Sequence, residues 1–183
     1  RSRPTHPSVS IVANISQAVA YVRKEEVVLG LLLIAFLVNL TGFPLNNGLL
    51  PVYARDVLGI SANGLGQLLA AYSAGAMCGS ITIAVLPRLH RPGAVVALAG
   101  IGWHVAILAL ALIVWFGPAI GVLALVGLAQ SFTMVTMATV LLSVTAPEIR
   151  GRVMGLRSLA VYGLPLGLQA SGATADLFGA PTT

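Results

Sequence analysis

Few residues in this chain are of the types that carry out covalent chemistry, and none is spaced for it. The sequence has three histidines and a single cysteine, Cys78. Neither His90 nor His104 has a serine, a cysteine or a pair of carboxylates at the spacing of a catalytic motif, and there is no glycine-rich phosphate loop. The Cys/His spacing of a metal site is also missing. The sequence therefore predicts that the chain is not an enzyme and uses neither a cofactor nor a metal.

A second group of polar residues is suited to binding a small molecule. These are uncharged amide and phenol side chains that lie within apolar stretches: Asn39, Asn46, Asn47, Tyr72, Gln130, Tyr162 and Gln169. Polar groups inside a membrane turn toward protein or toward a water-filled path, because hydrocarbon offers them no partner. We therefore take these seven side chains as candidates for lining a substrate cavity. The alternative is that each one only satisfies a neighbour in the helix packing.

The stretches that carry these residues are long enough to cross a membrane. The chain is 57% hydrophobic and only 8% charged. A hydrocarbon core of about 30 Å needs roughly 20 helical residues, and none of the runs shows the two-residue alternation of a membrane barrel strand. The sequence predicts an all-α membrane protein whose transmembrane domain, residues 27–178, has five helices. These five spans are residues 27–53, 62–86, 93–116, 119–146 and 155–178.

The two ends of the chain are predicted to lie outside this domain. Residues 1–26 form a cytoplasmic segment in which Val12, Ile15, Val19 and Val22 recur at helical spacing. That pattern predicts a short amphipathic helix on the membrane surface, with a plain linker as the alternative. Residues 179–183 are predicted to be a truncated tail, and the start at Arg1 suggests a fragment of a longer protein.

Basic residues are distributed unequally between the two sides of the predicted membrane. Only Arg55 lies on one side, and this imbalance predicts a cytoplasmic N-terminus in an inner or plasma membrane. Anionic lipid headgroups attract such residues, so the net charge of +5 does not require a nucleic-acid partner. The lipid bilayer is the predicted partner of these charges. The residues on the other side are Arg23, Lys24, Arg88, Arg91, Arg150, Arg152 and Arg157.

Individual spans differ in ways that predict their surroundings. Pro44 lies inside the first span, where it must interrupt the helix, so this position is either a substrate site or a simple kink. The third span is almost uniformly aliphatic and is expected to face lipid, which makes His104 a packed neutral ring whose role stays open. Small residues recur every four positions and predict close helix contacts: Ala71, Gly75 and Gly79, and Gly163, Gly167, Ser171 and Ala175.

The stretch PEIRGRVMGLRS, residues 147–158, followed by Tyr162-Gly163-x-Pro165-x-Gly167, carries a family resemblance. It resembles the connection between helices ten and eleven of major facilitator superfamily transporters, in the branch of the enterobactin exporter and macrolide efflux proteins. Residues 20–33 and 49–80 are similar to the entry into helix seven and to helices seven and eight of that branch. The resemblance implies most of the C-terminal half, helices seven to eleven, of a twelve-helix transporter, whose N-terminal half would be the missing partner.

Several functional expectations follow from this resemblance. It implies a secondary transporter that exports amphiphilic small molecules of the drug or siderophore type by alternating access, with possible proton coupling. Arg88 and Arg91 match part of the family's cytoplasmic loop motif. We expect these two arginines, Glu148, Arg150 and Arg152 to form a cytoplasmic gate or orientation signal, with Glu148 as the partner of Arg150 or Arg152. The alternative for this pair is a solvated surface contact that contributes less than about 1 kcal/mol. The alternative is a non-transporting membrane module that docks a partner protein.

Overall fold

The structure is a computed structural model that describes residues 11–86 and 89–183, with side chains from Ser16 onward. The described residues contain helices and no strand, which confirms the predicted all-α class. A π-helical segment, Leu45–Leu49, and a 3-10 turn, Ala160–Tyr162, interrupt the α-helices. The α-helices are α1 (Ile11–Lys24), α2 (Glu26–Thr41), α3 (Leu50–Asp56), α4 (Ala62–Val85), α5 (Pro92–Ala111), α6 (Phe116–Val144), α7 (Arg150–Leu159) and α8 (Gly163–Phe178).

Four helical stretches in the described part of the chain are long and apolar enough to cross a membrane. They are Glu26–Asp56, which joins α2, the π-helical segment and α3, and then α4, α5 and α6. The fifth predicted span, residues 155–178, contains the 3-10 turn, which separates the second half of α7 from α8. Pro165 accounts for the division, because it has no amide hydrogen to donate to the carbonyl of Val161. A fifth crossing therefore stays a prediction.

Helix α6 lies at the centre of a three-helix slab, with α4 and α5 packed along it in the two most extensive helix contacts of the structure. Glycines make the approach of α4 possible. A Cβ atom on Gly75 would lie 1.9 Å from the carbonyl oxygen of Ala124, and one on Gly127 would lie 2.0 Å from that of Tyr72. Only hydrogen fits in these gaps. The close packing predicted for the small residues of α4 is therefore confirmed at Gly75.

Helix α2 packs separately against α8 and the 3-10 turn before it. Glycines again form the contact. A Cβ atom on Gly163 would lie 2.8 Å from the carbonyl oxygen of Phe36, and one on Gly167 would lie 2.1 Å from that of Leu40. The small residues predicted to pack closely on the last span therefore do so at both glycines. We call α2 together with α8 the α2–α8 pair.

Two hydrophobic clusters lie at opposite ends of the bundle. One joins the start of α2 to the start of α5, the end of α6 and α7, through Val28, Val96, Leu141 and Val153. The other joins the end of α3 to the start of α4, the end of α5 and the start of α6. Successive long helices therefore run in opposite directions. The described basic residues Arg23, Lys24, Arg91, Arg150, Arg152 and Arg157 belong to helix ends at the first cluster, which we call the basic end, and Arg55 belongs to the other.

Some helix boundaries differ from those expected from the sequence. The predicted third span ends at Phe116 and the fourth begins at residue 119, but Phe116, Gly117 and Pro118 are the first turn of α6. Proline is accommodated there because the first amides of a helix have no partner within it. Helix α5 ends earlier than expected, at Ala111, where the Tyr53 hydroxyl lies 3.0 Å from the carbonyl oxygen of Leu110.

The N-terminal helix α1 packs against the protein's own α7. Ala18 and Val22 are buried, and the Arg152 guanidinium donates a hydrogen bond to the Gln17 side-chain oxygen. Val19, which belongs to the predicted apolar stripe, is half-buried. At least part of the apolar face of α1 is therefore covered by protein, and its location on a membrane surface stays a prediction.

Candidate substrate-binding site

The first long helix is interrupted where the sequence predicts it. Helix α2 ends at Thr41, a two-residue turn follows, and Pro44 introduces the π-helical segment. The amides of Gly42 and Phe43 both donate to the carbonyl oxygen of Val38, at 2.9 and 3.0 Å. Pro44 has no amide hydrogen for the carbonyl of Leu40, so the regular ladder cannot continue through it. The regular α-helix is therefore interrupted within the membrane-length stretch.

Three of the seven predicted cavity side chains come together beside this break. The Tyr72 hydroxyl of α4 donates a hydrogen bond to the side-chain oxygen of Gln130 on α6. Asn46, from the π-helical segment, lies beside the Tyr72 hydroxyl. However, both polar atoms of the Asn46 side chain are buried and make no hydrogen bond of normal geometry with the described residues. We call these three residues the Asn46 cluster.

The other four candidates do not join this cluster. The Asn39 amide nitrogen donates to the carbonyl oxygen of Ala35 at 2.8 Å, and that of Asn47 donates to Phe43 at 2.9 Å. Tyr162 and Gln169 are exposed. The seven-residue spacing of Asn39 and Asn46 would place them on one face of a regular α-helix, but the turn and the π-helical segment lie between them.

The unpaired amide of Asn46 is energetically costly. A buried donor or acceptor without a partner costs about 1–3 kcal/mol, because it has lost its hydrogen bonds to water. Its immediate neighbour, Tyr72, already directs its one hydroxyl hydrogen toward Gln130. The arrangement therefore leaves the NH2 group and the oxygen of one carboxamide for a bound molecule, while Gln130 orients the phenol beside it.

A cleft of about 660 Å³ opens at the end of the bundle opposite the basic end. It lies between α8 and the stretch from the π-helical segment into α3, with Gly48 and Ser171 among its lining residues. Arg55 and Asp56 at its rim form an ion pair with an N–O distance of 2.5 Å. Asp176 also lines the cleft. The cleft thus has a charged rim, and its lining begins at Gly48, two residues along the chain from Asn46.

The predicted cytoplasmic gate has a different arrangement from the one expected. The single ion pair among the described residues joins Arg55 to Asp56, so Glu148 is not paired with Arg150 or Arg152. Arg150 instead donates to the carbonyl oxygen of Thr145 at 3.0 Å, at the end of α6, and Arg152 donates to Gln17. The last carbonyls of a helix have no partner within it and accept readily from a nearby guanidinium. Arg91 is exposed at the start of α5, and Arg88 lies outside the described residues.

Sequence reasoning did not identify one further contact. The Thr41 hydroxyl lies 2.8 Å from the His104 imidazole, so α5 reaches the break in α2. The only sign of this contact in the sequence is a histidine in an otherwise aliphatic span. That sign does not show which residue the histidine contacts. Within the part of the chain that the structure describes, no three His, Cys, Asp or Glu residues are grouped closely enough to hold a metal.

Comparison with known proteins assigns the family. The sequence profile of the Major Facilitator Superfamily matches residues 1–169. The chain belongs to the Major Facilitator Superfamily. No curated protein and no solved structure matches it. Members of this superfamily are membrane transporters rather than enzymes, so the predictions of a multi-pass membrane protein and of transport are confirmed.

Membership in the Major Facilitator Superfamily also gives the Asn46 cluster its context. Transporters of this kind move small molecules across a bilayer. Irregular backbone at membrane depth is tolerated where it is buried in protein or lines a cavity, and transporters often bind substrate at such breaks. The break in α2, together with the buried amide beside it, is therefore the best candidate for the substrate site of this major facilitator chain.

Proposed function

We propose that the chain is most of the C-terminal half of a major facilitator exporter, corresponding to helices seven to eleven. It supplies one wall of a central cavity, and an N-terminal half supplies the other. The resemblance of residues 20–33, 49–80 and 147–158 to one exporter branch supports this assignment. The alternating direction of the long helices agrees with it. In this arrangement α7, the 3-10 turn and α8 together make the fifth crossing.

The proposed substrate is an amphiphilic small molecule that carries an uncharged hydrogen-bonding group. The observation that carries this proposal is the buried, unpaired carboxamide of Asn46 beside Tyr72 and Gln130. A hydroxyl or amide of the substrate would both donate to and accept from that carboxamide, which removes the cost of leaving it unpaired. The cluster has no charged side chain, so a charged group of the substrate is not what it recognises.

Transport assays with matched asparagine variants test this site. Asn46→Ala removes the unpaired amide, whereas Asn39→Ala removes an amide that bonds only its own helix. In cells that express this chain together with the N-terminal half, the probe is ethidium, a fluorescent amphiphile whose uncharged aromatic amines can donate to the Asn46 oxygen. We expect Asn46→Ala to lower its efflux about tenfold, since one lost hydrogen bond of about 1.4 kcal/mol has that effect. Asn39→Ala should stay within about twofold of the parent. Equal losses in both variants would remove the Asn46 cluster from the site.

We also propose that the basic end faces the cytoplasm of a cell bounded by an inner or plasma membrane, which places the N-terminus there. A Cys78→Ser background leaves no other cysteine in the sequence. Cysteines introduced at Arg55 and Arg91 then report the two ends of the bundle. A membrane-impermeant maleimide added to intact cells should label Arg55→Cys but not Arg91→Cys. Labelling of both, or of Arg91→Cys alone, would refute the proposed orientation.

A non-transporting module that docks a partner protein is the competing proposal. Such a module would use its polar side chains only to join helices in separate places. The convergence of Asn46, Tyr72 and Gln130, with one carboxamide left free, argues for a binding site instead. Membership in a transporter family points the same way.

A further inference from the structure

Thr41 is the last residue of α2, directly before the break. Its hydroxyl lies within hydrogen-bonding distance of two other groups. Its oxygen lies 2.8 Å from the carbonyl oxygen of Leu37 in the same helix and 2.8 Å from Nε2 of His104 on α5. A hydroxyl has only one hydrogen to donate. The state of the imidazole therefore decides which of the two neighbours receives it.

One contact of His104 indicates where its ring carries a hydrogen. Its Nδ1 lies 2.8 Å from the carbonyl oxygen of Gly100, which can only accept, so Nδ1 carries a hydrogen. Among the described residues that line the groove around the ring, Thr41 is the other polar side chain. In the tautomer whose only ring hydrogen is on Nδ1, Nε2 is an acceptor. In that tautomer the Thr41 hydroxyl donates across the helix interface to His104 rather than to Leu37.

The residue before His104 contacts the rest of the turn. Trp103 is fully buried, and a Cβ atom on Gly42 would lie 2.8 Å from its ring. Phe43 meets the same indole edge-on, with ring centroids 5.4 Å apart. The indole nitrogen has no partner among the described residues, so close packing holds this ring rather than a hydrogen bond. Trp103 and His104 together touch all three residues from Thr41 to Phe43.

We propose that Trp103 and His104 act as positioning residues that fix the break in α2, with the Thr41–His104 hydrogen bond setting its geometry. Pro44 permits the backbone to leave the α-helix, but it does not determine where the following residues point. The contacts of Trp103 and His104 with residues 41–43, which we call the clasp, determine where they point. Asn46 follows this turn by three residues. The importance of the clasp for transport rests on the proposed role of Asn46, whereas the clasp itself does not.

Nitrogen-15 spectra of the full chain labelled at histidine, in lipid nanodiscs, test the hydrogen bond directly. The ring signals of His104 are assigned by their loss in His104→Phe. We expect a bare Nε2 and a protonated Nδ1. Thr41→Val should shift the Nε2 signal, whereas Thr41→Ser, which keeps the hydroxyl, should leave it at its position in the parent. Thr82→Val is the matched control, since the Thr82 hydroxyl bonds only the carbonyl of Cys78 in its own helix. A hydrogen on Nε2, or an Nε2 signal unmoved by Thr41→Val, would overturn the proposal.

Backbone hydrogen exchange in the same samples tests whether the bond positions the break. Thr41→Val and His104→Phe should speed exchange of the amides in residues 45–49 about tenfold, as expected for a lost interaction of about 1.4 kcal/mol. Thr41→Ser and Thr82→Val should leave these rates unchanged. Unchanged rates in all four variants would refute the clasp. Because exchange needs no substrate, faster exchange combined with normal ethidium efflux in Asn46→Ala would keep the clasp and refute the proposed transport site.

Discussion

Close contacts at glycine hold together both the slab of α4, α5 and α6 and the α2–α8 pair. The two regions differ in whether their helices are continuous. In both, a glycine lets a neighbouring carbonyl oxygen approach closely. The slab helices are continuous over 24, 20 and 29 residues, whereas α2 is broken at Pro44 and α8 follows a 3-10 turn. A continuous helix resists local displacement because every turn is hydrogen-bonded to the next. We therefore expect the slab to be the more rigid part of the bundle and the pair to adjust more easily.

The proposed substrate site lies where these two regions meet. Tyr72 and Gln130 come from the slab and are joined by a hydrogen bond. Asn46 comes from the irregular segment that continues α2. A binding site with one fixed wall and one adjustable wall can change its affinity when the adjustable wall moves, which alternating access requires. The proposed function therefore assigns a role to the difference in backbone continuity: it lets one wall of the site move.

The largest expected effect is in the slab. Gly127→Val places a side chain where the Tyr72 carbonyl oxygen already lies 2.0 Å from the Cβ position, so α4 and α6 must separate. We expect a loss of about 3 kcal/mol or more, at the upper end for overpacking. Gly121→Val on the same helix has open space around it and should change stability by less than about 1 kcal/mol. Thermal unfolding in detergent measures both variants, and similar midpoints would contradict the tight slab.

A smaller loss is expected in the α2–α8 pair. Gly167→Ala meets the carbonyl oxygen of Leu40 at 2.1 Å, nearly the distance found in the slab. Leu40 lies at the break, so its backbone can move with less loss of hydrogen bonding, and we expect about 1–2 kcal/mol. Gly172→Ala on α8 meets nothing within 4 Å and is the control. The comparison fails if the matched change Gly127→Ala costs no more than Gly167→Ala in the same unfolding assay.

A third prediction concerns the connection between the two regions. Arg150 of α7 donates to the carbonyl oxygen of Thr145 just beyond the end of α6, at 3.0 Å. Arg150→Gln should lower stability by about 1 kcal/mol, the usual net contribution of one hydrogen bond. Arg91→Gln removes an exposed arginine of the same basic end and should have no measurable effect on unfolding. Equal midpoints for the two variants would show that Arg150 serves only as an orientation signal.

Regular features of this fold were predictable from the sequence. Apolar runs of membrane length predicted the long helices, Pro44 predicted the break, and four-residue spacing of small residues predicted the contacts at Gly75 and Gly167. Each of these follows from local rules, because helix length, proline chemistry and side-chain volume depend on few neighbours. The sequence could not predict the division of the last span, since it shows Pro165 but not how the chain adjusts around it.

Pairings between distant residues were harder to predict. Asn39 and Asn46 looked equivalent, yet the break turns only Asn46 toward Tyr72, and Asn39 bonds its own helix. Glu148 was expected to pair with a neighbouring arginine, but a carbonyl and the Gln17 side chain take those donors. Which partner a side chain bonds depends on how its helix is rotated and packed. Sequence periodicity predicts only the face of the helix on which a residue lies.

Pro44→Ala gives the smallest expected change in stability and the sharpest test of the comparison. Alanine supplies an amide that can donate to Leu40, which gains about 1 kcal/mol, but it also frees the unfolded chain by a similar amount. The unfolding midpoint should therefore stay close to that of the parent. Pro92→Ala at the start of α5 frees the unfolded chain in the same way but gains no hydrogen bond, so it should lower stability by about 0.4–1 kcal/mol. Ethidium efflux should nevertheless fall in Pro44→Ala alone, because a continuous helix carries Asn46 away from Tyr72. If efflux persists while hydrogen exchange shows a regular helix through residue 44, the irregular backbone of α2 is not what gives this wall its function.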